Sequence, residues 1–283
     1  MSFPRTQVEG ISLPRMMPGI NWFMGYSHQT AAKDKLINEY QTRERIADVL
    51  EVFVNAGIDA LYGVVDEWDK LLEAIKDAED RTGKKITTIA VPTLEVGDSQ
   101  DDIDANARVL DRYAAVGANF IFPHQSCTDA LLDRRERRIR HMDLYCKMIR
   151  ERGMIPGLST HMPETIVYAD ETDLDVATYI QIYNALGFLM QIEVDWIYRS
   201  IRNAKKPVMC IKPMAAGRLH PLVGLAFVWA TIRPQDMMIV GTMTPDEARE
   251  LIDLSLSLLD RQTSELPLQR TRSKASVESR PKE

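Results

Sequence analysis

No stretch of the 283-residue chain runs for ~18 uninterrupted apolar residues, so a transmembrane helix is not expected. The first ten residues, MSFPRTQVEG, lack the apolar core of a secretory signal, which points to a cytoplasmic protein. Cysteine is scarce. Cys127, Cys146 and Cys210 show no metal-type spacing, and an odd count argues against a disulfide framework. Net positive charge is also missing. A formal charge of −6 disfavours non-specific nucleic-acid binding, and the one basic run, Arg134–Arg140 (RRERRIR), reads as a solvated helix face. Short metal motifs such as H-x-H or H-E-x-x-H are absent as well. The expected partner is therefore a small molecule, with no nucleic acid and no membrane, and with a homo-oligomer left open.

What is present is an alternation of short apolar runs with helical periods. The runs read as strands over Ile20–Met24, Ala60–Val65, Ile86–Pro92, Asn119–Pro123, Ile155–Ser159, Val176–Tyr183, Pro207–Ile211 and Met237–Val240. Between them the 3–4 spacing of apolar residues predicts helices over Arg43–Asn55, Asp66–Asp80, Asp101–Val116, Asp133–Arg152, Pro163–Ala169, Val194–Asn203, Leu222–Ile232 and Pro245–Leu259. Residues 1–10 read as an irregular lead-in and Gly25–Asp34 as a polar loop. Thr244 with Glu247 three residues on forms a capping box at the last helix. Strands this apolar are buried on both faces. Eight of them alternating with helices in a chain of this length favour an α/β (β/α)₈ TIM barrel over residues 1–262. Residues 263–283 have few apolar groups and no period, so disorder is expected there.

In such a barrel the chemistry sits at the C-terminal ends of the strands. That rule collects Asn21, His28, Glu67, Glu95, His124, Thr160, His161, Lys212 and Arg218. His124, His161 and Glu95, arriving from different strands, make a workable ligand set for a divalent metal such as zinc or manganese. The same histidines serve equally for acid–base work, or simply satisfy hydrogen bonds at a strand end. Glu67 and Glu95 are candidate general bases. Lys212 at a barrel mouth either holds an anionic group, together with Arg218, or attacks a carbonyl. Gly217 in the loop after strand seven lets a ligand approach the backbone. Gly241, Thr242 and Thr244 precede a helix N-terminus, where free N–H groups suit a phosphate.

Several segments, in order, resemble the aldo-keto reductase family between about Ala47 and Leu254. They are NAGIDALYGVVDEWDKLLEAI, PGLSTHMPETI, YIQIYNAL, VMCIKPMAAGRL and IVGTMTPDEAREL. The resemblance implies the barrel and a nicotinamide cofactor. Ser159 and Gln181 match positions that hold the carboxamide, and Gly241–Thr242 match the phosphate loop. Glu247 falls where NADP-preferring members carry an arginine, which favours NAD. The catalytic tetrad departs from the family. Tyr62 stands at the Asp position, Glu67 at the Tyr position and Val91–Pro92 at the Lys position, while His124 keeps the His. The expected function is therefore non-standard. It is an acid–base or metal-assisted isomerase, lyase or hydrolase acting on a small polar carbonyl or hydroxy compound, with His124, Glu67, Glu95, His161 and Lys212 as catalytic candidates. A divergent NAD(P)-linked oxidoreductase and a non-catalytic ligand-binding barrel are the alternatives.

Overall fold

The structure is a computed structural model that describes residues 2–64 and 69–264. Its core is a ring of parallel strands: β1 (Met16–Pro18), β2 (Ala60–Val64), β3 (Thr87–Ala90), β4 (Phe120–Ile121), β5 (Ile155–Pro156), β6 (Tyr179–Ile182), β7 (Val208–Ile211) and β8 (Met237–Val240). Ladders join β2 to β5 in one run and β6 through β8 to β1 in another. Parallel bridges Gly19–Tyr62 and Leu158–Tyr179 close the two runs into a barrel. Every residue of β6 and β8 is buried, as strands covered by helices on one side and by the barrel interior on the other must be. The fold is thus the α/β (β/α)₈ barrel that the alternation of apolar runs implied.

The helices after the strands are α1 (Arg43–Asn55), α2 (Asp69–Thr82), α3 (Gln100–Ala115), α4 (Met142–Arg150), α5 (Glu164–Glu171), α6 (Val194–Asn203), α7 (Pro221–Thr231) and α8 (Pro245–Leu259). Apolar spacing sets their orientation. In α1, Ile46, Val49, Leu50 and Phe53 are buried while Arg43 faces α2, pairing with Asp77 at 2.5 Å and Glu73 at 2.9 Å. Among the described residues no helix is long and apolar enough to cross a membrane.

Four expectations are corrected. The lead-in is an antiparallel hairpin, Arg5–Val8 with Ile11–Pro14, turning through Glu9 and Gly10 at positive φ. It packs at the N-terminal end of the barrel, where Arg5 bonds Asp59 just ahead of β2. The first barrel strand is Met16–Pro18, not Ile20–Met24. Met16 and Met17 are fully buried beside β8, and Pro18–Gly19 end the strand where the sequence pattern suggested they precede it. Helix Ala31–Tyr40 occupies part of the expected polar loop, capped by Thr30 and burying only Ile37, so it leaves almost no apolar period. The helix expected over Asp133–Arg152 is instead a short helix Gln125–Ala130, a hairpin Leu132–Asp133 with Arg138–Ile139, and α4. Asp133 Oδ1 accepts the N–H groups of Arg135 and Glu136 at 3.0 Å each, and Arg137 adopts φ +50°, which stops a helix there. The basic run is laced to α5 by Arg134–Glu164 and Arg137–Glu171. Of the tail read as disordered, residues 265–283 lie outside the described residues.

Candidate active site

At the C-terminal ends of β1, β2, β7 and β8 lies a cavity of about 360 Å³. Lys212 enters it directly after β7. The backbone there is left-handed (φ +60°), a region that costs a non-glycine residue roughly 1 kcal/mol or more and that recurs at functional sites. The bend breaks the strand's alternation and turns the side chain into the mouth. Burial pulls the Lys212 ammonium down to about 8. Its Nζ lies 3.3 Å from His28 Nε2, and the same nitrogen is 3.1 Å from Asn21 Nδ2.

An amide N–H and an ammonium both donate, so His28 Nε2 accepts and the imidazole is neutral with its proton on Nδ1. Burial first, then Lys212, hold its pKa below the ordinary range. Two cations cannot be accommodated at this separation in a desolvated pocket, so the pair carries one proton's charge between them. The segment carrying His28 is fixed at both sides. Asp34 Oδ1 accepts from Ser27 N and Oγ at 2.8 and 2.5 Å, and Gln29 Nε2 donates to Ala216 O at 2.7 Å. Gly217 is tight here, because a Cβ on it would sit 2.8 Å from Gln29 Nε2.

Tyr62, in β2, faces the same cavity. Burial pushes its phenol up to about 12, so it is an O–H donor at neutral pH. It lies 3.2 Å from Ser159 Oγ and packs edge-on to Phe122 at 6.2 Å. Phe122 in turn fills the space over Gly157, where a Cβ would come within 2.1 Å of its ring.

His161 is positioned through its backbone N–H, which donates to Asp129 Oδ2 at 3.2 Å. Burial, reinforced by Lys212, His28 and His124, lowers its imidazole to about 4, so it is a neutral base. His124 caps the helix Gln125–Ala130. Its Nδ1 accepts the Ser126 N–H at 3.3 Å, which leaves the neutral ring's proton on Nε2. Burial lowers its pKa against the pull of Asp129.

The expected metal set does not assemble. Glu95 is exposed and its peptide is pinned elsewhere, N–H to Asn106 Oδ1 at 2.7 Å and carbonyl to the Tyr145 hydroxyl at 2.8 Å. Among the described residues no three His, Cys, Asp or Glu side chains group as a metal site, and of the two histidines it is His161 that feels the charge of Lys212 and His28. Glu67 lies outside the described residues.

The residues matched to nicotinamide binding do not fit that group. Gln181 is on the outer face of β6. It shares a face with Tyr179, whose hydroxyl reaches Asp170 on α5, and with Tyr183, whose ring meets Phe227 on α7. Ser159 stands behind Tyr62. At the start of α8, Pro245 has no N–H to offer, Glu247 N donates to Thr244 Oγ1 at 3.2 Å, and the Glu247 carboxylate accepts Met243 N, just ahead of the helix, at 2.6 Å. A carboxylate in the phosphate position repels a phosphate. Trp22 covers Gly241, whose Cβ position lies 2.4 Å from the indole. Thr242 is buried and off the cavity. Arg218 stacks on Phe188 at 4.0 Å and donates to Ala215 O at 3.1 Å, which makes it a brace for its loop.

Sequence reasoning placed Lys212 and His28 after strand ends, and Tyr62 at the family's Asp position, but missed that the first two touch. They are 184 residues apart, and no local pattern joins them.

The sequence matches no protein-family model and no curated protein. By structure the chain is similar to a protein of Pseudomonas aeruginosa assigned as an aldo-keto reductase, at 13% identity and TM-score 0.66, covering 90% of this chain and 95% of that one. It is also similar to an aldo/keto reductase from Klebsiella pneumoniae solved with NADP and acetate, at 16% identity, TM-score 0.53, covering 95% and 98%. A truncated 3-deoxy-D-arabino-heptulosonate 7-phosphate synthase from Thermotoga maritima aligns at 11% identity and TM-score 0.56, covering 92% and 93%. At these identities the likeness concerns the fold, an aldo-keto-reductase-like TIM barrel, and not the chemistry.

Proposed function

We propose that this chain is an acid–base enzyme acting on a small polar carbonyl or hydroxy compound at the C-terminal mouth of its barrel, without hydride transfer from a nicotinamide. The observation that carries the reading is the Lys212–His28 contact at 3.3 Å inside the cavity that Tyr62 also lines. Tyr62 donates its O–H to the substrate oxygen. Neutral His161 accepts the proton from the adjacent carbon or hydroxyl. The charge shared by Lys212 and His28 stabilises the enolate or alkoxide that results, and in a water-poor site such a fixed charge acts more strongly than in solution. General acid–base steps of this kind contribute roughly 10²–10⁴-fold.

Proton NMR in D₂O on a panel of 2-oxo acids, hydroxyaldehydes and hydroxyketones tests it. Protein-dependent deuterium uptake at the carbon beside the carbonyl is expected, reduced about a hundredfold or more in His161→Ala. No uptake across the panel, together with saturable NADH binding by fluorescence titration, overturns this reading in favour of a divergent oxidoreductase.

A further inference from the structure

Lys212 is placed unlike the exposed lysines among the described residues. Lys205 and Lys85 pair with Asp173 and Glu79 at the surface. The amine of Lys212 is in a cavity, reached through a left-handed backbone bend, and its only hydrogen-bond partner among the described residues is an accepting imidazole. A phenol donor, Tyr62, borders the same cavity. An amine, a proton acceptor at contact distance and a separate proton donor are the groups that carbinolamine chemistry needs. We infer that Lys212 is a nucleophile that forms an imine with the carbonyl carbon of a 2-oxo acid. The inference rests on the acid–base reading and deepens it by naming the covalent step and the substrate class.

The balance closes without a further reactant. With the pair's shared proton on His28, the Lys212 lone pair attacks the carbonyl carbon and forms the C–N bond, and the C=O π electrons move to oxygen. The oxygen gains one proton and the nitrogen loses one, with Tyr62 as the relay, giving a neutral carbinolamine. The His28 proton then passes to the hydroxyl, the C–O bond breaks, water leaves, and the nitrogen lone pair closes the C=N bond. The pair's single positive charge is conserved: it starts on His28 and ends on the protonated imine, and only neutral water leaves. That charge lies in a desolvated pocket whose carboxylates among the described lining residues, Glu247 and Glu250, belong to α8. A carboxylate on the substrate, next to the carbonyl, supplies the missing counter-charge. The imine nitrogen then withdraws electrons from the neighbouring C–H bond, which His161 breaks.

Borohydride trapping is the test. The full chain is mixed with pyruvate, or with acetone as the uncharged comparison, reduced with sodium borohydride, and mapped by peptide mass. The expected result is a reduced adduct on Lys212 with pyruvate in at least tenfold excess over acetone. Its formation should rise with pH through about 8, and Lys212→Arg should show none at this position. Adduct spread over the exposed lysines with no preference for Lys212, or no adduct at all, overturns the inference. If deuterium uptake persists without an adduct, the acid–base reading stands and only the imine fails. If both are absent, both fail.

Discussion

Lys212→Met is expected to stabilise the protein at neutral pH while abolishing its function. Methionine matches the lysine stem in length and removes only the charge. The cost of that charge follows from the fall of the Lys212 pKa from 10.5 to about 8. At about 1.4 kcal/mol per tenfold this amounts to roughly 3 kcal/mol for keeping the ammonium in the folded state. Residual solvent at the mouth screens part of it, so a gain of about 1–3 kcal/mol is expected. For a chain of this size each kcal/mol moves the melting temperature by roughly 2–4 °C, which places the rise at about 2–12 °C. The pH dependence is the sharper reading. A lysine with a depressed folded pKa loses its proton in the folded chain before the unfolded one does. Between about 8 and 10.5 the unfolded chain therefore binds more protons, and wild-type stability gains from this group as pH rises. The advantage of Lys212→Met should be full below pH 8 and vanish by about pH 10.5. Urea denaturation followed by circular dichroism at pH 7 and pH 10 measures both. A variant less stable than wild type at pH 7, or a gap that does not change with pH, would refute the argument, because it would mean that the charge is compensated in the fold.

Two further outcomes follow from buried packing. Gly157→Ala forces a methyl to within 2.1 Å of the Phe122 ring, so it should cost about 1–3 kcal/mol by overpacking and lower turnover by displacing Tyr62. Adding Phe122→Leu should restore part of that stability in thermal melts, and a neutral single variant would contradict the geometry. Asp236→Ala removes a fully buried carboxylate that accepts from Val208 N at 2.9 Å and from Arg233 N, Nε and Nη2 at 2.8, 2.9 and 2.7 Å. It leaves the Arg233 charge buried, and a loss of about 3–5 kcal/mol in urea melts is expected; a loss under about 1 kcal/mol would argue against the network.

The barrel was legible in the sequence wherever one face of an element meets the core. Helices α1, α6 and α8 and strand β8 span the residues that the periodicity indicated, because their apolar positions all answer to one layer. Reading failed where a polar side chain, rather than an apolar period, decides the backbone. Asp133 builds a turn inside a run whose charge spacing resembles a helix face. Thr30 starts a helix that buries a single isoleucine. Within the site, the strand-end rule reached Lys212, His161, His124 and His28 one by one. It did not reach the choice between the inner and outer face at Gln181, because a strand buried on both sides has no polar–apolar alternation to show which side chains turn outward. Nor did it reveal that Glu247 closes the α8 N-terminus, although the capping box that does so was itself readable. The same two residues were compatible with a cap and with a phosphate loop, and only the hydrogen bond to Met243 decides between them.

That decision orients the ligand. With the Glu247 carboxylate on the Met243 amide just ahead of α8 and Glu250 beside the cavity, the outer end repels anions. At the inner end the shared Lys212–His28 proton meets one further imidazole, His161, whose neutrality leaves the charge uncompensated. The chain's net charge of −6 makes this the attractive point in an otherwise repulsive field, and a low-dielectric wall focuses such a potential. The 2-oxo acid proposed above would accordingly enter with its carboxylate inward against Lys212 and its neutral part toward Trp22 and Gly241. In that orientation the carbon next to the carboxylate is presented to Lys212 Nζ and the carbonyl oxygen to Tyr62. The placement of charge and the placement of the reacting groups therefore select the same end of the same molecule.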